Sequence, residues 1–236
     1  MRAVLLAAGL GNRLQHHTAD TPKPLVTIGG RPLVSYTLHA LQQAGVTHLT
    51  AVTGHRAPIV RAALKTLSPI PLTFRHNPHY QDGQSLSLAA ARDTTRDENF
   101  LLVMSDHLLA PALLTTLART NPRDGVAVAI DTTPRDPHYT AEATRVTLQN
   151  NHITHIGKNL PHFHALDAGA FHCSPAIWEA LDQSPPDTTL STILQALAKQ
   201  NRLYPAHITG HFWYDVDTPE DHHAAETLLR TQPQTR

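Results

Sequence analysis

At 236 residues, with 41% hydrophobic and 16% charged side chains, the chain falls among globular rather than disordered sequences and can bury a core without a disulfide or metal staple. Its 19 basic and 19 acidic residues cancel, which excludes a nucleic-acid binder working through a bulk basic face but leaves room for a charged small molecule met by a few local cations. The lone Cys173 excludes an intrachain disulfide and a multi-cysteine zinc site, and no apolar run approaches the roughly 18 residues of a membrane span. The opening MRAVLLAAGLGNR has too short an apolar stretch for a signal peptide, so a soluble, cytoplasmic protein is expected.

Ala3–Ala8 is a short apolar run ending in glycine, the pattern of a buried parallel strand. Residues 9–30, rich in Gly, Thr and Pro, read as a long loop. Between Pro32 and Ala44, Leu33, Tyr36, Leu38 and Leu41 recur at helical spacing, with Gly45 as the stop. Then come a strand at Thr47–Thr53, a helix at Ala57–Leu67, a strand at Leu72–Arg75, a helix at Ser85–Asp93 and a strand at Phe100–Met104. A helix at Pro111–Arg119 and a strand at Val126–Ile130 follow. This alternation predicts an α/β fold, a Rossmann-like, doubly wound and mostly parallel sheet. Past about residue 131 the pattern turns β-rich: Thr144–Leu148 and His152–Ile156, joined by Gln149-Asn150-Asn151, read as a hairpin, and Leu166–His172 as a further strand. Helices are expected near Pro175–Leu181, Leu190–Lys199 and Pro219–Arg230, the last with Asp217 or Thr218 as N-cap. No repeat or linker interrupts the chain, so residues 1–236 are expected to form one domain with a β-rich insertion in the second half.

Ligands of open α/β sheets bind beyond the carboxyl ends of strands, which places a site at Ala7-Ala8-Gly9-Leu10-Gly11-Asn12-Arg13-Leu14. The glycines let backbone N–H groups close around a phosphate and Arg13 adds a charge-assisted fork; a plain tight turn is the other reading of a GxG. The loop is no dinucleotide fingerprint, since Leu14 stands where the third glycine belongs, and no Walker A loop, since GK[ST] is absent. Ten residues after Arg13, two prolines stiffen Thr21-Pro22-Lys23-Pro24-Leu25 around a single lysine. Asp106, in Val103-Met104-Ser105-Asp106-His107 directly after an apolar strand, can ligate Mg2+ over a phosphate or cap the next element. Trp213-Tyr214-Asp215-Val216-Asp217-Thr218-Pro219 offers a second acidic pair. Strand alternation points Asp215 and Asp217 to one side, and capping of the last helix is the other use of Asp217. The 18 histidines, with pairs at His16–His17 and His222–His223, contain no HExxH string and read as solvated surface composition, with a metal site or pH sensor as the alternative.

AAGxGxR followed by TPKPL resembles the signature of nucleotidyltransferases that join an NTP to a sugar or alcohol phosphate, with the nucleotide-diphospho-sugar transferase type of fold. The resemblance implies that Ala7, Ala8, Gly9, Gly11, Asn12 and Arg13 line the NTP and that Lys23 reaches the reacting phosphates. It further implies that Asp106 and Asp215 hold Mg2+ together, with Asp217 as alternate ligand. Sugar-specific members usually carry GD with a small or apolar residue and WxDxG, where this chain has SDH and WYDVD. MxDH, WxDVDT, Glu142-Ala-Thr, Ile156-Gly157-Lys158-Asn159-Leu160 and Asp167-Ala-Gly169 instead resemble the CTP:inositol-1-phosphate cytidylyltransferases, the soluble domain that precedes a membrane-bound synthase.

On that resemblance residues 1–130 are the NTP-binding half, 131–217 the acceptor-binding half, and 218–236 a C-terminal helix and tail. Gly83, Ser85 and Ser87 approach the pyrimidine. Lys158 clamps the phosphate of the alcohol phosphate, or is a solvated lysine after a hairpin; Glu142 and Asp167 accept hydrogen bonds from inositol hydroxyls, or are ordinary strand-end acids. Ser105 departs from the usual glycine, and Gln84 stands inside the base-contacting stretch. The expected partners are CTP and inositol 1-phosphate, with the CDP-inositol product passed to a separate membrane synthase. Alternatives are choline phosphate or an aminoalkylphosphonate as acceptor, a sugar 1-phosphate with UTP, dTTP or GTP, and a non-catalytic nucleotide-sensing subunit.

Overall fold

Strand β1, Arg2–Ala7, is apolar from Ala3 onward because it has a parallel neighbour on each edge and helices over both faces; Ala3, Val4 and Leu5 are fully buried. The computed structural model that shows this describes residues 1–133, 137–185 and 187–231, so the last five residues of the expected tail, 232–236, lie outside the described residues. The expected loop over 9–30 carries 3-10 turns at Asn12–Thr18 and Lys23–Leu25 and leads into a two-residue strand pair, β2 (Thr27–Ile28) and β3 (Arg31–Pro32). There follow α1 (Leu33–Gln43), β4 (His48–Thr53), α2 (Ala57–Leu67), β5 (Leu72–His76), α3 (Gln84–Ala89), α4 (Arg92–Thr95), β6 (Phe100–Met104), β7 (His107–Leu109), α5 (Pro111–Arg119) and β8 (Val126–Asp131). The second half adds α6 (Pro137–Glu142), β9 (Arg145–Gln149), β10 (His152–Gly157), β11 (Ala165–Cys173), α7 (Ala176–Asp182), α8 (Leu190–Lys199), β12 (Leu203–His207), β13 (Trp213–Asp215) and α9 (Pro219–Thr231).

Strands β5, β4, β1 and β6 lie side by side in that order and run parallel. The chain winds outward from β1 to β5 and then crosses back over β1 to β6. A crevice opens at such a reversal, beyond the carboxyl ends of β1 and β6, and the loop after β1 and Asp106 after β6 are its two lips. The β-rich second half extends this same sheet: β11 is antiparallel to β6, β8 and β9, β10 is antiparallel to β9, and β12 is parallel to β8, for nine strands among the described residues.

Apolar clusters fill both faces of the sheet, one including Val34, Leu38, Leu64 and Leu113, the other Leu88, Ile177, Leu194 and Phe100. A smaller cluster of Leu14, Ile28, Leu33, Tyr36, Val216, Ala225 and Leu229 fastens α9 across the loop that follows β1.

Several expectations are revised. The single helix over Ser85–Asp93 is divided, because Ala91 N bonds back to Leu88 O and closes the first piece with a tightened turn. Strand β12 escaped notice because it contains Pro205; it pairs with β8 alone, an edge position where a missing N–H is tolerated. At the other margin, β10 has a strand on one side only among the described residues. Two of its main-chain groups are met by Gln195 of α8, whose Oε1 accepts from Ile156 N at 2.9 Å and whose Nε2 donates to Thr154 O at 3.2 Å.

Candidate active site

Gly11 has φ +71°, and Lys23 packs directly against it. The Pro22 and Pro24 rings hold the 3-10 turn that carries Lys23, and the residue is only 8% exposed. Its Nζ donates to Asp106 Oδ2 at 2.7 Å and to Asp217 Oδ1 at 2.6 Å. Arg13 donates to the other oxygen of Asp217 and lies 3.9 Å from Glu142 Oε2. The lysine therefore ties the two ends of the chain's acidic equipment together at the switch point.

Asp215 reaches this place through a short antiparallel pairing, β13 on β7, which sets it opposite His107. His107 Nδ1 lies 2.9 Å from Asp106 Oδ1 and 3.7 Å from Asp215 Oδ1. Strand β13 is held from beneath by Trp213, whose Nε1 donates to the buried carboxylate of Asp131 at 2.9 Å, and Asp215 N donates to Tyr139 OH at 3.1 Å. The strand ends at Asp215, so alternation does not carry on to Asp217 as expected. Thr218 caps α9 instead: its Oγ1 accepts from Asp221 N at 3.1 Å while Asp221 Oδ2 accepts from Thr218 N at 2.8 Å, a reciprocal capping box. That arrangement releases the Asp217 carboxylate for Lys23 and Arg13.

Burial alone would lower the Lys23 ammonium, but Asp106, Asp217 and Asp215 outweigh it and hold it above the ordinary lysine range. Burial likewise works to raise Asp106, and Lys23 and His107 overcome it, keeping this carboxyl well below the usual range. Asp217 is lowered in the same way, burial being outweighed mainly by Lys23. Asp215 goes the other way: burial pushes it up to about 7, with His107 opposing and Asp106 and Asp217 adding to the rise. For His107, burial is overcome by Asp215 and Asp106, which raise it to about 9. Burial pushes Asp167 up to about 7 against the bond its Oδ1 accepts from Gly169 N at 2.8 Å.

The residues fit a divalent cation. Asp106, His107 and Asp215 each offer a ligand atom, all within 4.8 Å of one another, and Asp215 Oδ1 is buried with no hydrogen-bond partner among the described residues. A buried carboxylate oxygen left so is costly unless a cation completes it, and hard carboxylate oxygens suit Mg2+.

Two cavities meet at this cluster. The larger, about 870 Å³, is lined by Arg13, Asp106, Asp215 and Asp217, and it also contains all three expected acceptor residues, Glu142, Lys158 and Asp167. The smaller, about 110 Å³, is lined by Ala8, Gly9, Lys23, Gly83 and Ser87. Ala7, Gly11, Asn12 and Ser85 line neither: Ala7 ends the buried β1, Gly11 backs Lys23, and Ser85 Oγ accepts from Thr188 N at 3.2 Å. Sequence reasoning missed His107, Tyr139 and Asp131. The signal for His107 was present in the SDH string; but the histidines read as surface composition, and His107 with a side chain 12% exposed and His172 at 4% contradict that for these two.

The profile of the MobA-like NTP transferase domain matches residues 3–202. A bifunctional IPC transferase and DIPP synthase of Rubrobacter xylanophilus is 35% identical over 233 residues, covering 96% of this chain and 51% of its own length. A protein of the same description from Aquifex aeolicus is 33% identical over 229 residues, with shares of 96% and 51%. The chain thus spans about half the length of these curated relatives. Among solved structures, the inositol-1-phosphate CTP transferase from T. maritima shares the fold with a TM-score of 0.84 at 22% identity, over 97% of this chain and 96% of that one. A UDP-glucose pyrophosphorylase from Acinetobacter baumanii does so at 0.81 and 16% identity, over 97% and 92%.

Proposed function

Because the chain belongs to the MobA-like NTP transferase family, we propose that it joins CTP to inositol 1-phosphate, giving CDP-inositol and pyrophosphate. The observation that carries this reading is the position of Lys23 and Asp106, bonded to each other where a cavity beside the glycine loop meets a larger one lined by Lys158, Glu142 and Asp167. The choice of CTP and an inositol phosphate is supported by the names of the relatives and by the MxDH and WxDVDT strings.

An oxygen of the acceptor phosphate attacks the α-phosphorus of CTP in line, and the bond to pyrophosphate breaks. That oxygen is already ionised at neutral pH, so no general base is required. Catalysis is positioning and charge neutralisation. Lys23 and Arg13 stabilise charge on the pentavalent centre and on departing pyrophosphate, which requires Lys23 to exchange part of its carboxylate contacts for phosphate oxygens. Asp106 and Asp215 would hold Mg2+, with Asp217 as alternate ligand; when bound, the ion supplies Lewis-acid neutralisation of the phosphates. Lys158 meets the acceptor phosphate, and Glu142 and Asp167 accept from its hydroxyls; an Asp167 pushed up to about 7 can also donate when protonated. Gly83 and Ser87 border the pyrimidine, and Ser85 supports them from behind.

In this reading residues 1–130 bind the nucleotide and 131–217 the acceptor, and within 218–236 helix α9 lies over the loop after β1. No described helix is long and apolar enough to cross a membrane. In this reading the CDP-inositol product is consumed by a membrane-bound synthase. The test is pyrophosphate release with Mg2+, pairing CTP, UTP, GTP, dTTP and ATP with inositol 1-phosphate, choline phosphate and glucose 1-phosphate. Release with CTP and inositol 1-phosphate alone is expected. Release with another pair keeps the mechanism and moves the substrate, and silence with every pair counts against catalysis.

A further inference from the structure

We propose that Gln84 contacts substrate, its side-chain amide donating hydrogen bonds to the phosphate oxygens at the point where nucleotide and acceptor meet; this rests on the nucleotidyltransferase reading above. Gln84, Met104 and Asp106 are the residues that line both cavities. Met104 has no donor, and Asp106 is a carboxylate already engaged by Lys23 and His107. Gln84 therefore brings the N–H groups to the shared wall.

The orientation of the amide follows from the one hydrogen bond it makes among the described residues. The N–H of Leu190, first residue of α8, donates to Gln84 Oε1 at 3.3 Å, so the oxygen is engaged and the NH2 end with its two donors is left for a ligand. The backbone beneath is held independently of that side chain. Ser85 N donates to Thr188 O at 3.2 Å and Thr188 N donates to Ser85 Oγ at 3.2 Å. Gly83 lies so close to Asp187 that a Cβ there would stand 2.8 Å from its carbonyl carbon. Residues 83–85 and 187–190 form one clamp, from which Gln84 projects to the junction.

This placement has a chemical use. As the acceptor phosphate closes on the α-phosphorus, negative charge gathers on oxygens that no longer have water around them. A neutral donor fixed in advance stabilises that charge without a reorganisation at the moment of reaction. The departure at position 84 noted in the sequence thus places a donor inside the stretch expected to face the base.

The Gln84→Glu substitution separates the donor from the clamp, because it keeps the chain length and an oxygen for Leu190 N while replacing both N–H groups by an anionic acceptor. With the substrate pair that the wild type turns over, Q84E is expected to lose about 100-fold in kcat while the KM for CTP stays within about threefold, since the bond is made mainly in the transition state. The melting temperature should not change. Gln84→Ala, which adds no repulsion, should lose about tenfold in kcat. A Q84E enzyme within about threefold of wild type in kcat overturns the inference alone. So do equal losses in both variants with matching drops in melting temperature, which would make Gln84 only part of the clamp. A wild type silent with every pair overturns the reading on which the inference rests and the inference with it.

Discussion

A Cβ placed on Gly11 would stand 2.6 Å from the Cβ of Lys23, so the glycine loop and the proline-flanked lysine touch at a point that admits no side chain. The two strings that the sequence presents ten residues apart are one packed unit, and the direction in which Lys23 leaves the backbone depends on it. With φ at +71°, Gly11→Ala meets both a steric and a conformational penalty. A loss of about 1–3 kcal/mol in unfolding free energy is expected by denaturant titration, with a drop in kcat from the displaced lysine.

Lys23 itself should separate binding from chemistry. Lys23→Met removes the cation that spans Asp106 and Asp217, and kcat is expected to fall by roughly 100- to 1000-fold. CTP affinity by calorimetry should change much less, because most of the charge it answers develops after binding. Equal losses in kcat and affinity would reduce Lys23 to a binding residue.

Asp215 places stability and metal binding in opposition. Its Oδ1 is buried with no hydrogen-bond partner among the described residues, and burial raises its pKa, with Asp106 and Asp217 adding to the rise. Asp215→Asn removes that conflict, so the metal-free protein should melt at the same temperature as wild type or higher. Mn2+ affinity, followed by the electron spin resonance of the free ion, should fall by more than the roughly 10–100-fold that loss of an outer partner produces. Unchanged Mn2+ binding would transfer the ligand role to Asp217.

A pH effect on stability is expected from His172, away from the site. Burial holds this imidazole below the ordinary histidine range, with Nδ1 2.8 Å from Thr120 O and Nε2 buried without a hydrogen-bond partner among the described residues. The folded chain keeps it neutral while the unfolded chain takes up a proton as pH falls through about 6.5. Its contribution is therefore whole above about pH 6.5 and is lost as pH falls towards the lower folded value. The melting temperature of wild type should drop more steeply between about pH 7 and 5 than that of His172→Asn, whatever the offset between the two curves. Parallel curves would remove His172 from the account.

Which parts were legible in the sequence follows from how local their causes are. Helices α2, α5 and α8 and strand β6 sit at their expected positions because apolar spacing and end signals lie within each segment. Strands β7 and β13 are three residues each, too short to show a period, and they exist because they pair with each other across more than a hundred residues of chain. His107 owes its position to that pairing, which is why it read as one histidine among many. The partner of Ser85 was hidden for a related reason: the segment before α8 folds back and Thr188 N donates to its hydroxyl, and nothing near residue 85 announces it. Lys23 and Asp106 were legible because two prolines and an apolar strand fix each of them from adjacent residues.

The amide of Gln195 stands in for a missing neighbour along the last strand of the sheet, one oxygen and one nitrogen filling the places that another strand's main chain would take. An open margin of that kind is a template on which a second copy can add itself. Gln195→Leu should therefore leave the core as it is, and reveal itself as the cell or the tube is concentrated, in the loss of monomer to growing assemblies.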